Sequence, residues 1–190
     1  MKDAIIIVEG PQGVGKTTFT NNLREKLKAT DLYRLSGIKD RTEAGQQKIK
    51  VKYEKLIEYM ENCSDVNLLF DRTFFTNEIY ARLGYHNYDF SKTYKELLER
   101  LDNLSNLDKY DIYFVALYLE DEKLYEQRIK RDKHEYQKFE VQSSIDQQNA
   151  YLKMADEIEK ECKNIKVLRF ENSSEEVAAK YVEKYFSDLM

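Results

Sequence analysis

The sequence is poor in residues that interrupt regular structure and in residues that form cross-links. Its 190 residues include no tryptophan, one proline, six glycines and two cysteines. Cys63 and Cys162 match no zinc or redox spacing, which argues against a disulfide-stapled scaffold and favours a reducing, cytoplasmic location. Long apolar runs are lacking too. No stretch approaches the roughly 18 residues that a membrane span needs, so no membrane partner is expected.

A strong excess of positive charge is also missing. The formal net charge is −4, so no broad basic surface and no nucleic-acid polymer partner are predicted. The apolar run at residues 4–8 is followed by Glu9 without a small-residue cleavage site, which is unlike a signal peptide. With 42% hydrophobic and 35% charged residues, the chain has the composition of a globular domain.

Apolar runs typical of buried strands alternate with helical patterns along the chain. The predicted strands are residues 4–8, 32–36, 66–70, 112–119 and 165–170. The predicted helices are residues 16–28, 41–62, 73–83, 91–104, 121–131, 141–162 and 174–188. This alternation predicts an α/β fold, a three-layer αβα sandwich with a mostly parallel five-stranded sheet. The length predicts one domain over residues 1–190.

Half of the glycines and the only proline lie in one short loop. Residues 10–17 read Gly-Pro-Gln-Gly-Val-Gly-Lys-Thr and fit the pattern G-x-x-x-x-G-K-[ST] between a predicted strand and a predicted helix. A loop that wraps phosphates must point several N–H groups inward, which requires residues without a Cβ. Lys16 is placed to reach the β- and γ-phosphates, and Thr17 to offer its hydroxyl to Mg²⁺. The pattern predicts ATP and Mg²⁺ as cofactors; a chance match in a glycine-rich turn is the alternative.

A second candidate group follows the predicted strand at 66–70. Asp71 is positioned to hold Mg²⁺ beside the loop, and Arg72 to bind a substrate phosphate bidentately. The alternative is that Asp71 caps a helix and Arg72 is a surface charge.

Three blocks of the sequence resemble the thymidylate kinase family and its deoxynucleoside kinase relatives. Residues 8–18 are similar to the family's E-G-x-x-G-x-G-K-[ST]-T opening. Asp71-Arg72-Thr73, with Thr76 and Tyr80, resembles its D-R-[YS]-x-x-S-x-x-x-[YF] block, with Thr in place of Ser at 76. The charged stretch 128–140 and the following helix around Tyr151 resemble its lid region.

The resemblance implies the fold of a P-loop NTPase of the nucleoside monophosphate kinase type and assigns roles to residues. The implied donor-binding residues are Gly10, Pro11, Gln12, Gly13, Val14, Gly15, Lys16, Thr17 and Thr18, with Thr17 and Asp71 at the metal. The implied catalytic residues are Lys16, Arg72, Arg128 and Arg131, the last two closing over the phosphoryl group from a mobile lid at about 128–140. A solvated charged helix is the alternative for the lid. The resemblance also implies a homodimer.

The resemblance also assigns residues to the acceptor nucleotide, and most of these have a structural alternative. Arg72 would bind the acceptor phosphate beside Thr76, and Tyr80 would stack near the sugar and disfavour a 2′-hydroxyl. Glu9 would orient the loop or the acceptor, or is only a strand-end charge. Tyr53 is a candidate for stacking on the base, or is an ordinary half-buried tyrosine. Residues 172–174 lie where the family contacts adenine, or form a plain N-cap turn.

These features predict an enzyme, a nucleoside monophosphate kinase that phosphorylates a deoxynucleoside 5′-monophosphate, with dTMP as the first candidate. The Glu-Trp and Glu-Arg-Ser patterns of deoxynucleoside kinases are missing, which disfavours the main alternative, phosphorylation of a free nucleoside. A P-loop regulator is a third reading, but residues 119–123 lack an Asn-Lys-x-Asp motif for guanine. The Arg-Glu-Pro-Gly and Leu-Phe-x-x-x-Arg patterns of thymidylate kinases are also missing, so the base stays open.

Overall fold

The computed structural model of the chain describes residues 2–37, 40–131 and 140–190, and its elements alternate as predicted. The strands are β1 (Asp3–Glu9), β2 (Thr30–Arg34), β3 (Asn67–Asp71), β4 (Tyr110–Tyr118) and β5 (Ile165–Glu171). The helices are α1 (Lys16–Lys26), α2 (Glu43–Asn62), α3 (Phe74–Arg82), α4 (Ser91–Asp102), α5 (Lys123–Arg131), α6 (Val141–Glu161) and α7 (Glu175–Phe186), and a short 3₁₀ turn, Ser187–Leu189, follows.

The five strands form one sheet in the order β2-β3-β1-β4-β5, and every pairing in it is parallel. The register pairs Val8 with Asp71 and Arg34 with Asp71, so the carboxyl ends of β1, β2 and β3 lie side by side. In open parallel sheets, ligands bind at this edge. The sheet therefore brings the loop after β1 next to the residues that end β2 and β3.

Alternate residues of the strands pack into two separate cores. On one face, Ile5 and Ile7 of β1 contact a cluster that includes residues of α2, α3, α4 and α6. On the other face, Ile6 and Val8 contact a cluster that includes residues of α1, α5 and α7. A β-branched run buried on both sides is what a central parallel strand requires. The predicted αβα sandwich with a five-stranded sheet is confirmed.

One predicted strand is displaced along the chain from the observed one, and one predicted segment is described only in part. The second strand lies at 30–34 rather than 32–36, because it pairs with β3 from Thr30 opposite Asn67 to Arg34 opposite Asp71. The predicted lid at about 128–140 is described only at its two ends, since residues 132–139 lie outside the described residues. The part of the chain up to Arg131 is helical.

Among the described residues, no helix combines the length and the apolar character that crossing a membrane demands.

Candidate active site

The loop between β1 and α1 has the backbone that the glycine pattern predicts. Gly10, Gly13 and Gly15 all have positive φ, at 154°, 78° and 91°. At Gly10 space is limiting as well, because a Cβ there would lie 2.8 Å from the Leu117 carbonyl oxygen. Since α1 begins at Lys16, the N–H groups of its first turn have no partner within the helix, which makes this end a site for anions.

Lys16 lies inside this loop rather than in solvent. Its Nζ donates hydrogen bonds of 2.6 Å to the carbonyl oxygens of Gly10 and Pro11. The pKa of Lys16 is lowered to about 7, mainly by burial and also by the charge of Arg72, while Asp71 and Glu9 act in the opposite direction. The loop thus holds a cation at its centre that a polyphosphate would stabilise in the charged form.

Asp71 ends β3 next to the start of α1. Its Oδ2 lies 3.3 Å from Thr17 Oγ1 and accepts a long contact of 3.5 Å from Thr20 Oγ1. Mg²⁺ prefers hard oxygen ligands and keeps several waters, so the carboxylate and the Thr17 hydroxyl fit it, with triphosphate oxygens completing the shell. The described residues contain no cluster of three or more His, Cys, Asp or Glu side chains that could hold a metal without a nucleotide.

Arg72 follows Asp71 in an unusual conformation. Its φ is +73°, in the left-handed region that residues with a Cβ rarely adopt. The side chain is half-buried and lines the cleft beside the P-loop. Within the described part of the chain, its guanidinium forms no hydrogen bond or ion pair. The structure places Arg72 at the cleft, and its binding of a substrate phosphate stays a prediction.

Arg34 is a site residue that the sequence analysis did not single out. Its Nε lies 3.5 Å from Asp71 Oδ2, and its other end donates to Asn21 on α1. The side chain is 46% exposed, so solvent weakens this ion pair. In the sequence Arg34 lies in the middle of the predicted strand at 32–36, where no pattern marks it as a site residue.

Glu9 is completely buried under the start of α3. Its Oε1 accepts hydrogen bonds from the Thr73 backbone N–H (2.6 Å) and the Thr73 hydroxyl (3.2 Å), and its Oε2 accepts from the Thr76 hydroxyl (2.7 Å). The Thr76 and Tyr151 hydroxyls share a further hydrogen bond of 3.0 Å. Burial raises the pKa of Glu9 to about 7, although Thr76, Thr73, Lys16 and Arg72 all favour the carboxylate.

The two tyrosines predicted at the acceptor differ in position. Tyr80 lies one helical turn after Thr76 on α3, so both occupy one face, and its ring packs edge-on against Tyr85 at 5.3 Å between centroids. Tyr53 is 4% exposed in the core and packs edge-on against Phe74. The structure favours the packing alternative for Tyr53, because a base reaches that ring only if α2 or α3 moves.

Arg128 joins the P-loop to the loop between β5 and α7. Its guanidinium donates to the carbonyl oxygens of Val14 (2.8 Å), Asn172 (2.8 Å) and Ser173 (2.9 Å). Asn172 Nδ2 also donates to the Val14 carbonyl (2.7 Å). In this conformation Arg128 links the P-loop to residues 172–173 by hydrogen bonds. Its action on a transferring phosphoryl group stays a prediction.

A cleft of about 760 Å³ opens between these loops, α1 and α7. Arg72, Arg128 and Arg131 line it together with Lys16, Thr17 and Thr18 of the P-loop side. Residues 172–174 lie at its wall as well, and Ser174 caps α7 by accepting from the Val177 N–H at 3.2 Å. Both interpretations of that segment are therefore compatible with the structure.

Two glutamines on α6 also support this region and were missed from the sequence. Gln147 Oε1 accepts from the Gln12 N–H of the P-loop at 3.1 Å. Gln148 accepts from the Leu119 N–H and the Tyr125 hydroxyl and donates to the Leu119 carbonyl. A polar pair on the buried face of a predicted helix is the one signal that points to them.

Comparison with known proteins supports the fold. A family model described as an AAA domain matches residues 6–161. No curated protein matches the chain in sequence. The solved structure of thymidylate kinase from Candida albicans has a TM-score of 0.64 at 15% identity, over 98% of this chain and 92% of that chain.

Deoxyadenosine kinase from M. mycoides is also similar. Its structure with the products dCMP and dCDP has a TM-score of 0.57 at 18% identity, over 100% of this chain and 98% of that chain. Its structure with dATP has a TM-score of 0.61 at 15% identity, over 94% and 97%. At these identities the likeness shows a shared P-loop kinase fold, which confirms the resemblance found in the sequence at the level of fold.

Proposed function

The chain belongs to the AAA domain family, and we propose that within this P-loop fold it is a nucleoside monophosphate kinase that transfers the γ-phosphoryl group of Mg²⁺·ATP to a deoxynucleoside 5′-monophosphate. The first candidate acceptor is dTMP. The proposed donor site is the P-loop from Gly10 to Thr18, with Mg²⁺ at Thr17 and Asp71. Arg72 binds the acceptor phosphate, and Thr76 and Tyr80 border the acceptor sugar.

The observation that carries this proposal is the positive charge at the acceptor end of the site. Arg34 and Arg72 lie at the carboxyl ends of β2 and β3, on either side of Asp71, and Lys16 is close enough to Arg72 for their charges to interact. A monophosphate is already an anionic nucleophile, so it needs positioning and charge neutralisation rather than a base.

A free nucleoside places a different demand on the site. Its 5′-hydroxyl must lose a proton, which favours a carboxylate that reaches the cleft. Residues 35–39, which follow β2, contain no acid, and the next residue, Asp40, accepts from Thr42 and Lys48. Glu9 is fully buried behind Thr73 and Thr76. Among the described residues, the glutamates that line the cleft are Glu25, near the end of α1, and Glu175, at the start of α7. We therefore favour a phosphate acceptor over a hydroxyl acceptor.

The chain's own groups account for the transfer. P-loop N–H groups and Lys16 hold the β- and γ-phosphates, and Arg72 aligns the acceptor phosphate in line with the γ-phosphorus. Thr17 and Asp71 would hold Mg²⁺, which would offset the negative charge of the phosphates when bound. The transition state is loose, and its negative charge is spread over the transferred group. Cations around that group therefore lower the barrier more than a side chain that bonds covalently to it would. We propose Arg131 and Arg128 as further cations of this set.

A phosphorylation panel tests the proposal. The protein is mixed with Mg²⁺·ATP and each deoxynucleoside or its 5′-monophosphate at equal concentration, and ADP release is followed by a coupled assay. We expect turnover with at least one monophosphate and at least tenfold less with every free nucleoside. Turnover of nucleosides alone would establish the deoxynucleoside kinase alternative.

The Lys16→Ala variant is the control for the panel. It removes the cation at the centre of the P-loop, so every kinase activity should fall by about a hundredfold or more. Activity that survives this change would belong to a contaminant or to another site, and the P-loop would then be a regulatory nucleotide site. The single domain with a lid, the cytoplasmic location and the homodimer stay proposals; gel filtration with light scattering tests the dimer.

A further inference from the structure

Arg72 is held in its conformation by two consecutive residues of β1. Its own N–H donates to the Val8 carbonyl oxygen at 3.1 Å. The next N–H, of Thr73, donates to Glu9 Oε1 at 2.6 Å. The peptide groups on both sides of the Arg72 Cα are therefore anchored, one to the backbone and one to a side chain of the same strand.

This anchoring matters because the backbone of Arg72 is strained. A φ of +73° is disfavoured for a residue with a Cβ and persists only where the surroundings impose it. Among the described residues, the other non-glycine residues with positive φ are Ala29 and Asp65, which lie in bends outside the cleft. Arg72 is the one that lines the cleft, at the junction between β3 and α3.

The direction of the Arg72 side chain depends on that backbone. Among the described residues no hydrogen bond or ion pair holds its guanidinium, and the left-handed backbone at the Cα sets the direction in which the side chain leaves β3. If the Thr73 N–H lost its acceptor, the peptide after Arg72 could rotate toward an ordinary φ, and the guanidinium would leave the acceptor site.

We propose that Glu9 is the positioning residue for Arg72. Its carboxylate holds Thr73 through two hydrogen bonds and Thr76 through a third, and so fixes the first turn of α3 against the end of β1. Glu9 is fully buried and does not itself contact the acceptor, so it acts through the residues that it holds, Arg72 by way of the Thr73 N–H, and Thr76. This inference rests on the proposed function, in which Arg72 binds the acceptor phosphate.

Two substitutions separate the hydrogen bond from the charge. Glu9→Gln keeps an oxygen for the Thr73 N–H and removes the charge, and the Thr76 hydroxyl can reverse to accept from the new amide while donating to Tyr151. In Glu9→Met the methionine side chain has a length similar to that of glutamate but offers no comparable hydrogen-bond acceptor to the Thr73 N–H. We expect Glu9→Met to raise the acceptor KM by about tenfold, with the ATP KM within about twofold of wild type. Glu9→Gln should restore the acceptor KM to within about threefold.

A double-mutant cycle shows whether Glu9 works through Arg72. In an Arg72→Ala background, Glu9→Met should raise the acceptor KM by no more than about twofold, because the side chain that it positions is gone. The matched control is Asp102→Ala on α4, which removes a buried carboxylate that accepts from the backbone N–H groups of Lys163 and Asn164. This variant should lose stability without a change in acceptor KM.

Several results would overturn the inference. They are an unchanged acceptor KM in Glu9→Met, an equal rise in both KM values, a Glu9→Gln variant as impaired as Glu9→Met, or additive effects in the cycle. If Glu9→Met does not fold, Glu9→Asp replaces it, because the shorter side chain withdraws the acceptor from Thr73.

A structural measurement separates this inference from the proposed function. Crystal structures of the two Glu9 variants report φ at Arg72 directly, whether or not any acceptor is phosphorylated. We expect φ to leave the left-handed region in Glu9→Met and to stay there in Glu9→Gln. An Arg72 that keeps its φ near +73° in Glu9→Met would overturn the inference, whereas an inactive wild-type protein in the acceptor panel would overturn only the proposed function.

Discussion

Replacing Glu9 by glutamine should change how the stability of the protein depends on pH. Burial raises the pKa of Glu9 from its ordinary value of 4.5 to about 7, and the side chain is fully buried, so solvent does not screen the effect. Each unit of pKa difference between the folded and unfolded states corresponds to 1.36 kcal/mol, which gives about 3 kcal/mol in total.

The sign follows from proton binding. Between pH 4.5 and 7 the folded protein binds a proton at Glu9 more tightly than the unfolded chain does. The stabilisation is therefore fully present below pH 4.5 and is lost as the pH rises through 7. Glutamine does not titrate, so the variant lacks this loss. Relative to wild type, the Glu9→Gln variant should gain about 2–3 kcal/mol of unfolding free energy between pH 5 and pH 8.

Urea unfolding of both proteins at pH 5, 6, 7 and 8 measures this difference directly. Titrating groups that do not interact with Glu9 cancel in the comparison, and Lys16 and Arg72 are the charged groups that interact with it. A difference that changes by less than about 0.5 kcal/mol across the range, or that changes in the opposite direction, would refute the reasoning. It would mean that the cations and hydrogen bonds around Glu9 offset its desolvation in full.

Three further predictions concern the loops and the metal. Gly10→Ala should lower the free energy of unfolding, measured with urea, by about 2 kcal/mol or more, because the new Cβ would lie 2.8 Å from the Leu117 carbonyl oxygen. The control is Gly84→Ala, since Gly84 also has a positive φ, of +75°, but has open space around it. In the same assay this control should lose about 1 kcal/mol. Gln148→Leu should cost about 2–3 kcal/mol in thermal unfolding, since it leaves the buried Leu119 N–H and the Tyr125 hydroxyl without their acceptor; a loss below about 0.5 kcal/mol would contradict this. Asp71→Asn should raise the Mg²⁺ concentration for half-maximal kinase activity by about tenfold, and an unchanged Mg²⁺ dependence would exclude Asp71 from the metal site.

The order of the elements could be predicted because each carries its own local pattern. The β-branched run of β1 and the glycine loop after it are signals within a dozen residues, and both are where the sequence places them. The start of β2 was predicted two residues late because this edge strand is only half-buried and its pattern is weak. Its position depends on pairing with β3, about 37 residues away in sequence, which no local pattern encodes.

The same limit applies to the site. The sequence places Lys16, Thr17, Asp71 and Arg72 close together because a motif or a strand end marks them, and their roles stay predictions. The partners of Glu9 could not, since Thr73 and Thr76 reach it only after α3 packs against the end of β1. The positions of Gln147 and Gln148 likewise depend on how α6 packs over the P-loop and the end of β4.

The strand order explains why these charges meet at all. A parallel sheet with β2, β3 and β1 adjacent brings the ends of the three strands together, and each ends in a charged residue: Arg34, Asp71 and Glu9. Within the protein, Asp71 forms an ion pair with Arg34, and Lys16 donates hydrogen bonds to backbone carbonyl oxygens. Phosphates would compete with the carbonyl oxygens for Lys16, and Mg²⁺ would compete with Arg34 for the Asp71 carboxylate. Binding of the donor with its metal should therefore release the Arg34 side chain from Asp71, next to Arg72. The acceptor end of the site would then become more positive at the step where the proposed monophosphate acceptor binds.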